Sequence, residues 1–214
     1  MSGGEKLKGS AHLTIGAVSG LVVSNIVHTN ITTTILFVGL GAVSGLIPDI
    51  DIDGKLSNKI TISHKIIRTV ACIIGFLLMI YSYLEGSTPS KWFGITLGIV
   101  IIMLSSFIKQ RHMLTVTGLA VLIAGFSLDR TWLWLLGIFI IAASLVPHRS
   151  YTHSILGILF FGVIAYQLEL SIGIEGIFTC CIAGYISHLL ADMKMLPFNK
   201  RGVKFFLPLS KHEF

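Results

Sequence analysis

The chain has 214 residues, of which 53% are hydrophobic and only 12% charged, with a mean hydropathy of +0.85 and a formal net charge of +6. Such apolar usage lies far outside soluble globular composition, which excludes a soluble domain and predicts an integral membrane protein. The length suffices for about eight spanning helices of roughly 20 residues with short connections, packed as a single domain over 1–214.

In chain order, apolar runs fall at about 12–29, 31–48, 66–84, 91–108, 113–128, 131–147, 153–168 and 172–190, separated by polar or Pro/Gly clusters. They are apolar throughout and do not alternate, so helices are predicted rather than the strands of a barrel. The expectation is an all-α, polytopic transmembrane bundle of about eight helices. The runs at 113–128 and 153–168 are short and suit tilted, buried or re-entrant segments. Lys6 and Lys8 precede the first run without a clear small-residue cleavage site after it, which favours a signal anchor over a cleaved signal peptide. Cys72, Cys180 and Cys181 lie inside predicted spans, and their odd number gives no disulfide framework. They read as small core residues.

When the spans alternate in direction, all but Lys91 and Arg130 of the 16 lysines and arginines fall on one side. Positive residues are retained in cytoplasmic loops, so both termini are predicted inside, in the plasma (inner) membrane. The net charge then reflects topology and contact with anionic lipid; no basic face with interleaved aromatics points to nucleic acid. The same count places seven of the eight histidines on the cytoplasmic side, His28 being the exception, together with Asp49, Asp51, Asp53 and Asp192.

Three clusters at the ends of apolar runs carry the chemistry. Pro48-Asp49-Ile50-Asp51-Ile52-Asp53-Gly54 follows the second run, where Pro48 and Gly54 signal a turn. It is not an EF-hand loop, because its twelfth position is Ile60 where a bidentate Glu is required. A solvated acidic turn is the plain alternative, although three carboxylates together repel unless a cation sits among them. His148-Arg149-Ser150-Tyr151-Thr152-His153-Ser154 follows Pro147, with Thr152 or Ser150 available to cap a helix and His153 expected in its first turn. The planar fork of Arg149 suits a phosphate or carboxylate, or else simply anchors the loop at the interface. His188-Leu-Leu-Ala-Asp192 places two ligand-type side chains one helical turn apart, suited to a shared metal or to a helix-end ion pair.

Together with His12 at the start of the first run, these motifs resemble the YdjM-type family of membrane-bound metal-dependent hydrolases, also described as LexA-binding, inner-membrane-associated hydrolases. The matching stretches are His12, Ile47-Pro48-Asp49-Ile50-Asp51, the His148–Ser154 motif, Gly184-Tyr185-Ile186-Ser187-His188-Leu189-Leu190-Ala191-Asp192 and the tail Lys200-Arg201-Gly202-Val203-Lys204-Phe205-Phe206-Leu207-Pro208. That family is more distantly similar to zinc-dependent phospholipases C and related nucleases. The resemblance implies His188 and Asp192 as metal ligands, joined by His12, Asp49 and His153. Ser150 stands where family members often carry Gly, and several spans separate the Asp motif from the His-Arg motif, so 85–147 is expected to be an insertion of transmembrane helices. Within it, Arg111-His112 followed by Thr115 and Thr117 echoes the later motif and reads as a degenerate copy.

A set of imidazoles and carboxylates suits Zn²⁺, or Mn²⁺ or Fe²⁺, better than Ca²⁺. His12, Asp49, His148, His153, His188 and Asp192 exceed the four ligands of one tetrahedral zinc, so one or two ions are expected, two being bridged by a carboxylate such as Asp192 or Asp49. Such a cation would lower the pKa of water toward about 7. Arg149 would hold a phosphate oxygen and Asp51 would assist at the reacting centre, with Thr152 and Ser154 orienting ligand imidazoles. The expected function is a cytoplasm-facing, metal-dependent hydrolase of a phosphoester or lipid-linked substrate, with membrane lipids as its surroundings. The alternatives are a transporter, which would place ionisable groups near mid-membrane, and a noncatalytic scaffold stapled by a structural metal.

Overall fold

The computed structural model describes residues 9–50, 61, 63–85, 87–147, 150–194, 202–210 and 212–213. Among these, eight α-helices form and no strand does: α1 Gly9–Ile26, α2 Ile31–Ser44, α3 His64–Glu85, α4 Thr88–Ser105, α5 Gln110–Ser127, α6 Thr131–Leu145, α7 Ile155–Ile172 and α8 Ile177–Ala191. The all-helical expectation holds. By length and composition α1, α7 and the stretch His64–Leu84 suit membrane spans, and a fourth arises if Pro89–Ser105 and Gln110–Ser127 count as one broken span. The helices α2, α6 and α8 have only 14 or 15 residues. At 1.5 Å per residue they reach about 21–23 Å, short of a hydrocarbon core of about 30 Å.

Local chemistry sets the helix ends. The Asn30 side chain accepts the Thr33 amide at 2.9 Å and starts α2. Pro89 sits at the first turn of α4, where its missing N–H costs nothing. The seventh run was expected to be short, yet α7 is a full 18 residues. It continues because Glu169 is useful inside its last turn, where its carboxylate accepts the amides of Gly176 at 3.1 Å and Phe178 at 2.8 Å. A negative group is thereby held at the N-terminus of α8. Gly173 and Gly176, at φ +75° and +96°, make the left-handed turn between the two helices.

The described residues belong to two compact units, one built from Met1–Ser57 with Leu114–Phe214 and the other from Asn58–Met113. In the second, α3 and α4 form an antiparallel hairpin closed by Gly75 and Gly98. A Cβ at Gly98 would stand 2.6 Å from the Gly75 carbonyl oxygen, and His64 Nδ1 meets Gln110 Oε1 at 2.8 Å. The region expected as an insertion, 85–147, contributes α4 here and α6 to the first unit. There α6 packs on α5, with Thr115 Oγ1 and Ser144 Oγ 2.7 Å apart, and on α7 through Phe139 and Phe161. His112, read as part of a degenerate copy, accepts the Lys109 amide at 3.2 Å in an exposed turn.

The core of the first unit is built on close backbone approach between α1, α2 and α8. A Cβ at Gly184 would lie 2.5 Å from the Gly41 carbonyl oxygen, and one at Gly45 would lie 2.9 Å from the His12 carbonyl oxygen. In lipid, small residues at such crossings replace a hydrophobic driving force with backbone-to-backbone van der Waals contact. Cys180 adds a thiol hydrogen bond to the Phe37 carbonyl at 3.0 Å. All three cysteines are free; Cys180 and Cys181 are buried as expected of core residues, whereas Cys72 is only half-buried.

Candidate metal centre

The residues that fill the helix crossings recur every four positions, and so do the metal-type side chains that continue them: His12, Gly16, Gly20 on α1; Phe37, Gly41, Gly45 and then Asp49 from α2; Cys180, Gly184, His188 and then Asp192 from α8; His153 and then Gly157, Phe161 on α7. Residues four apart share a helix face. On α1 and α8 the stripe that packs the helix thus also carries His12 and His188, whereas Asp49, His153 and Asp192 keep the spacing just beyond a helix end.

His12 lies in the first turn of α1 and Asp49 in a 3-10 turn, Ile47–Ile50, that follows α2. His153 closes a second 3-10 turn, Tyr151–His153, one residue before the extended Ser154 and the start of α7. This corrects the expectation that His153 would sit in the helix itself, capped by Thr152 or Ser150. His188 lies in the last turn of α8, and Asp192 follows the helix as its C-cap, its amide donating to the His188 carbonyl at 3.0 Å. All five side chains are buried, His153 and His188 completely.

The five converge. His12 Nε2 is 3.4 Å from Asp192 Oδ1, while His153 Nε2 and His188 Nε2 are each 3.8 Å from Asp192 Oδ2. Asp49 Oδ1 stands 3.9 Å from His153 Nε2 and 3.8 Å from His188 Nε2. The last two nitrogens are 3.3 Å apart, and the His12 and His188 rings stack at 4.0 Å. Two triplets, His12–Asp49–His188 and His153–His188–Asp192, each gather their donor atoms within 4.8 Å of one another.

The spacing tests the fit. A direct N–H···O hydrogen bond spans about 2.7–3.2 Å, and the five nitrogen–carboxylate separations given above, 3.4–3.9 Å, exceed that range. Ligands bound at about 2.0–2.2 Å to a common tetrahedral ion lie roughly 3.3–3.6 Å apart; the 3.3 and 3.4 Å separations fall in that range, and the other four, at 3.8–3.9 Å, lie just beyond it. Proton placement agrees. His188 Nδ1 lies 2.7 Å from the Gly45 carbonyl oxygen, which only accepts, so Nδ1 carries a proton, and in the neutral ring Nε2 is then the nitrogen left to bind a metal. His153 Nδ1 is 3.1 Å from Thr152 Oγ1, a hydroxyl able to fix the same tautomer. Buried lone pairs and carboxylates facing one point repel unless a cation lies among them. The residues present fit a divalent metal.

Of the other site residues read from sequence, Asp51, His148 and Arg149 lie outside the described residues. Ser154, expected against an imidazole, instead donates its hydroxyl to the Tyr151 carbonyl at 2.7 Å, because it closes the 3-10 turn. Sequence reasoning passed over two supports. One is the Gly45 carbonyl that holds His188; the other is Tyr185, fully buried, whose hydroxyl donates to the Thr152 carbonyl and whose ring stacks on Phe161 at 4.9 Å. For Gly45 the available signal was the four-residue spacing of a glycine from His12, Asp49, His153 and His188.

No curated protein and no solved structure matches the chain. The family of YdjM inner membrane proteins matches residues 7–214, a span that includes all five converging side chains. The chain belongs to the YdjM inner membrane protein family.

Proposed function

We propose that the protein is a membrane-embedded, metal-dependent hydrolase acting on a phosphoester or lipid-linked substrate at the cytoplasmic face of the inner membrane. The observation that carries this reading is the burial, at one point, of three imidazoles and two carboxylates drawn from four remote stretches of chain. His12, Asp49, His153, His188 and Asp192 would hold the metal, with His148 as a further donor on sequence grounds. Five donors exceed one tetrahedral set. His188 is common to both triplets, and the two oxygens of Asp192 face different imidazoles, so the set would hold one or two ions. Nitrogen and oxygen donors without thiolate favour zinc, with manganese or iron next. A divalent cation supplies Lewis acidity, lowering the pKa of water from about 15.7 toward 7 and polarising a phosphoryl oxygen.

The chain's own residues orient and bind. Gly45 and Thr152 hold the His188 and His153 rings with Nε2 inward. On sequence grounds, Arg149 would bind a phosphate oxygen through its planar fork, and Asp51 would assist at the reacting centre. The cytoplasmic placement rests on the lysine and arginine asymmetry. Complete burial of His153 and His188 favours one competing reading, a metal staple with no catalytic role. Hydrolysis of a phosphodiester in detergent micelles by the purified protein separates the two. Turnover that is lost on chelation, restored by zinc and lowered by Arg149→Lys supports the hydrolase; no turnover in a fully metal-loaded protein supports the staple.

A further inference from the structure

A groove of about 530 Å³ runs along the α3–α4 hairpin. Its α3 wall is a stripe at four-residue spacing: Arg68 and Thr69, then Cys72 and Ile73, then Phe76 and Leu77. Residues so spaced share one helix face, and at 1.5 Å per residue the stripe covers about 13 Å. Ile102 of α4 lines the groove from the other helix and lies against Gly75, where an added Cβ would stand 2.8 Å from its Cγ1. The lining therefore changes along its length, from a guanidinium, a hydroxyl and a thiol to carbon alone. Ile73, Phe76 and Leu77 are 53%, 59% and 57% exposed, on a stretch apolar and long enough to span a membrane.

Charge at the polar end has one sign. The contact of His64 Nδ1 with Gln110 Oε1 brings the start of α3 to the turn after α4, so Lys65, Arg68, Lys109 and Arg111 fall at the same end of the hairpin. Within 58–113 only Glu85 is acidic, and it is the last residue of α3, at the opposite end. Among the described residues neither Lys65 nor Arg68 enters an ion pair. We propose that this groove holds one anionic phospholipid, with its phosphate on Arg68 and one acyl chain along Ile73, Phe76 and Leu77. The planar guanidinium fork matches two phosphate oxygens. The carbon-lined end would leave the polar groups of a free nucleotide, sugar phosphate or peptide unpaired. A net negative headgroup is preferred to a zwitterionic one, because the ammonium of phosphatidylethanolamine would meet Lys65 and no carboxylate of this end. Such binding goes beyond hydrolysis at the metal centre and does not depend on it.

The test uses the intact protein in phosphatidylcholine vesicles carrying, at equal mole fraction, phosphatidylglycerol or phosphatidylethanolamine with a diazirine on one acyl chain. After irradiation, adducts are mapped by mass spectrometry. A second groove of about 500 Å³, lined by Val18 and Val22 of α1 and by no charged residue, is the internal control. Adducts on Phe76 and Leu77 should be about fivefold more abundant with phosphatidylglycerol than with phosphatidylethanolamine, and those on Val18 and Val22 should show no such preference. Arg68→Gln, at an exposed position of α3, should abolish the preference, and Lys91→Gln, at the other end of the hairpin, should leave it intact. Equal labelling of the α3 groove by the two lipids would mean surrounding bilayer lipid only and would overturn the proposal. So would a preference that survives Arg68→Gln, or one that Lys91→Gln removes equally, since net charge alone would then account for it.

Discussion

His188 donates from Nδ1 to the Gly45 carbonyl at 2.7 Å, a bond that joins residues 143 positions apart. The carbonyl belongs to the residue that caps α2, and the imidazole to the last turn of α8. One bond thus ties the α2–α8 crossing to the orientation of a metal-type nitrogen. Below this crossing Gly41 and Gly184 bring the two backbones together, so the geometry of the site is inherited from the packing of glycines.

That dependence predicts a loss of metal from substitutions that touch no ligand. Gly41→Ala and Gly184→Ala force backbone apart where no room exists and should destabilise the fold by about 1–3 kcal/mol while lowering bound metal. Gly39→Ala is the control, because nothing lies within 4 Å of its added methyl. The denaturation midpoint in detergent and the metal content of each variant check this. Equal behaviour of Gly39→Ala and Gly41→Ala would count against it.

Thr152 and Ser154 should separate sharply. Thr152→Val removes the hydroxyl beside His153 Nδ1 and should weaken metal binding by about 10–100-fold, as expected when the partner of a ligand imidazole is lost. Ser154→Ala, whose hydroxyl bonds only to a turn carbonyl in the observed arrangement, should change it little. Competition with a metal-sensitive dye gives both affinities.

Metal retention should fall as pH is lowered. Protons and metal compete for the same Nε2 lone pairs, and free imidazole titrates near pH 6.5. The metal should be held at pH 8 and released progressively below about pH 6, which equilibrium dialysis against buffers of stepped pH would follow. Retention unchanged down to pH 4 would argue against imidazole ligation.

Much of this was legible in the sequence. Eight helices and the convergence of His12, Asp49, His153, His188 and Asp192 follow from apolar runs that end in ligand-type residues. The starts of α2 and α6 matched their runs, but α2 stops at Ser44, short of the 3-10 turn Ile47–Ile50, and α8 begins at Ile177 and not 172 because Gly173 and Gly176 turn the chain first. The role of Ser154 was hidden for a similar reason: a hydroxyl beside a histidine has several partners in reach, and the 3-10 turn decided among them. Glu169 looked like the end of a run and is instead a cap for the next helix.

The central claim is that the five buried side chains together hold a divalent cation, and elemental analysis of the purified protein tests it most directly. About one to two divalent metal ions per chain are expected, lost in His188→Ala and in Asp192→Ala while both variants keep their helical content. Full metal retained in those two folded variants would contradict it.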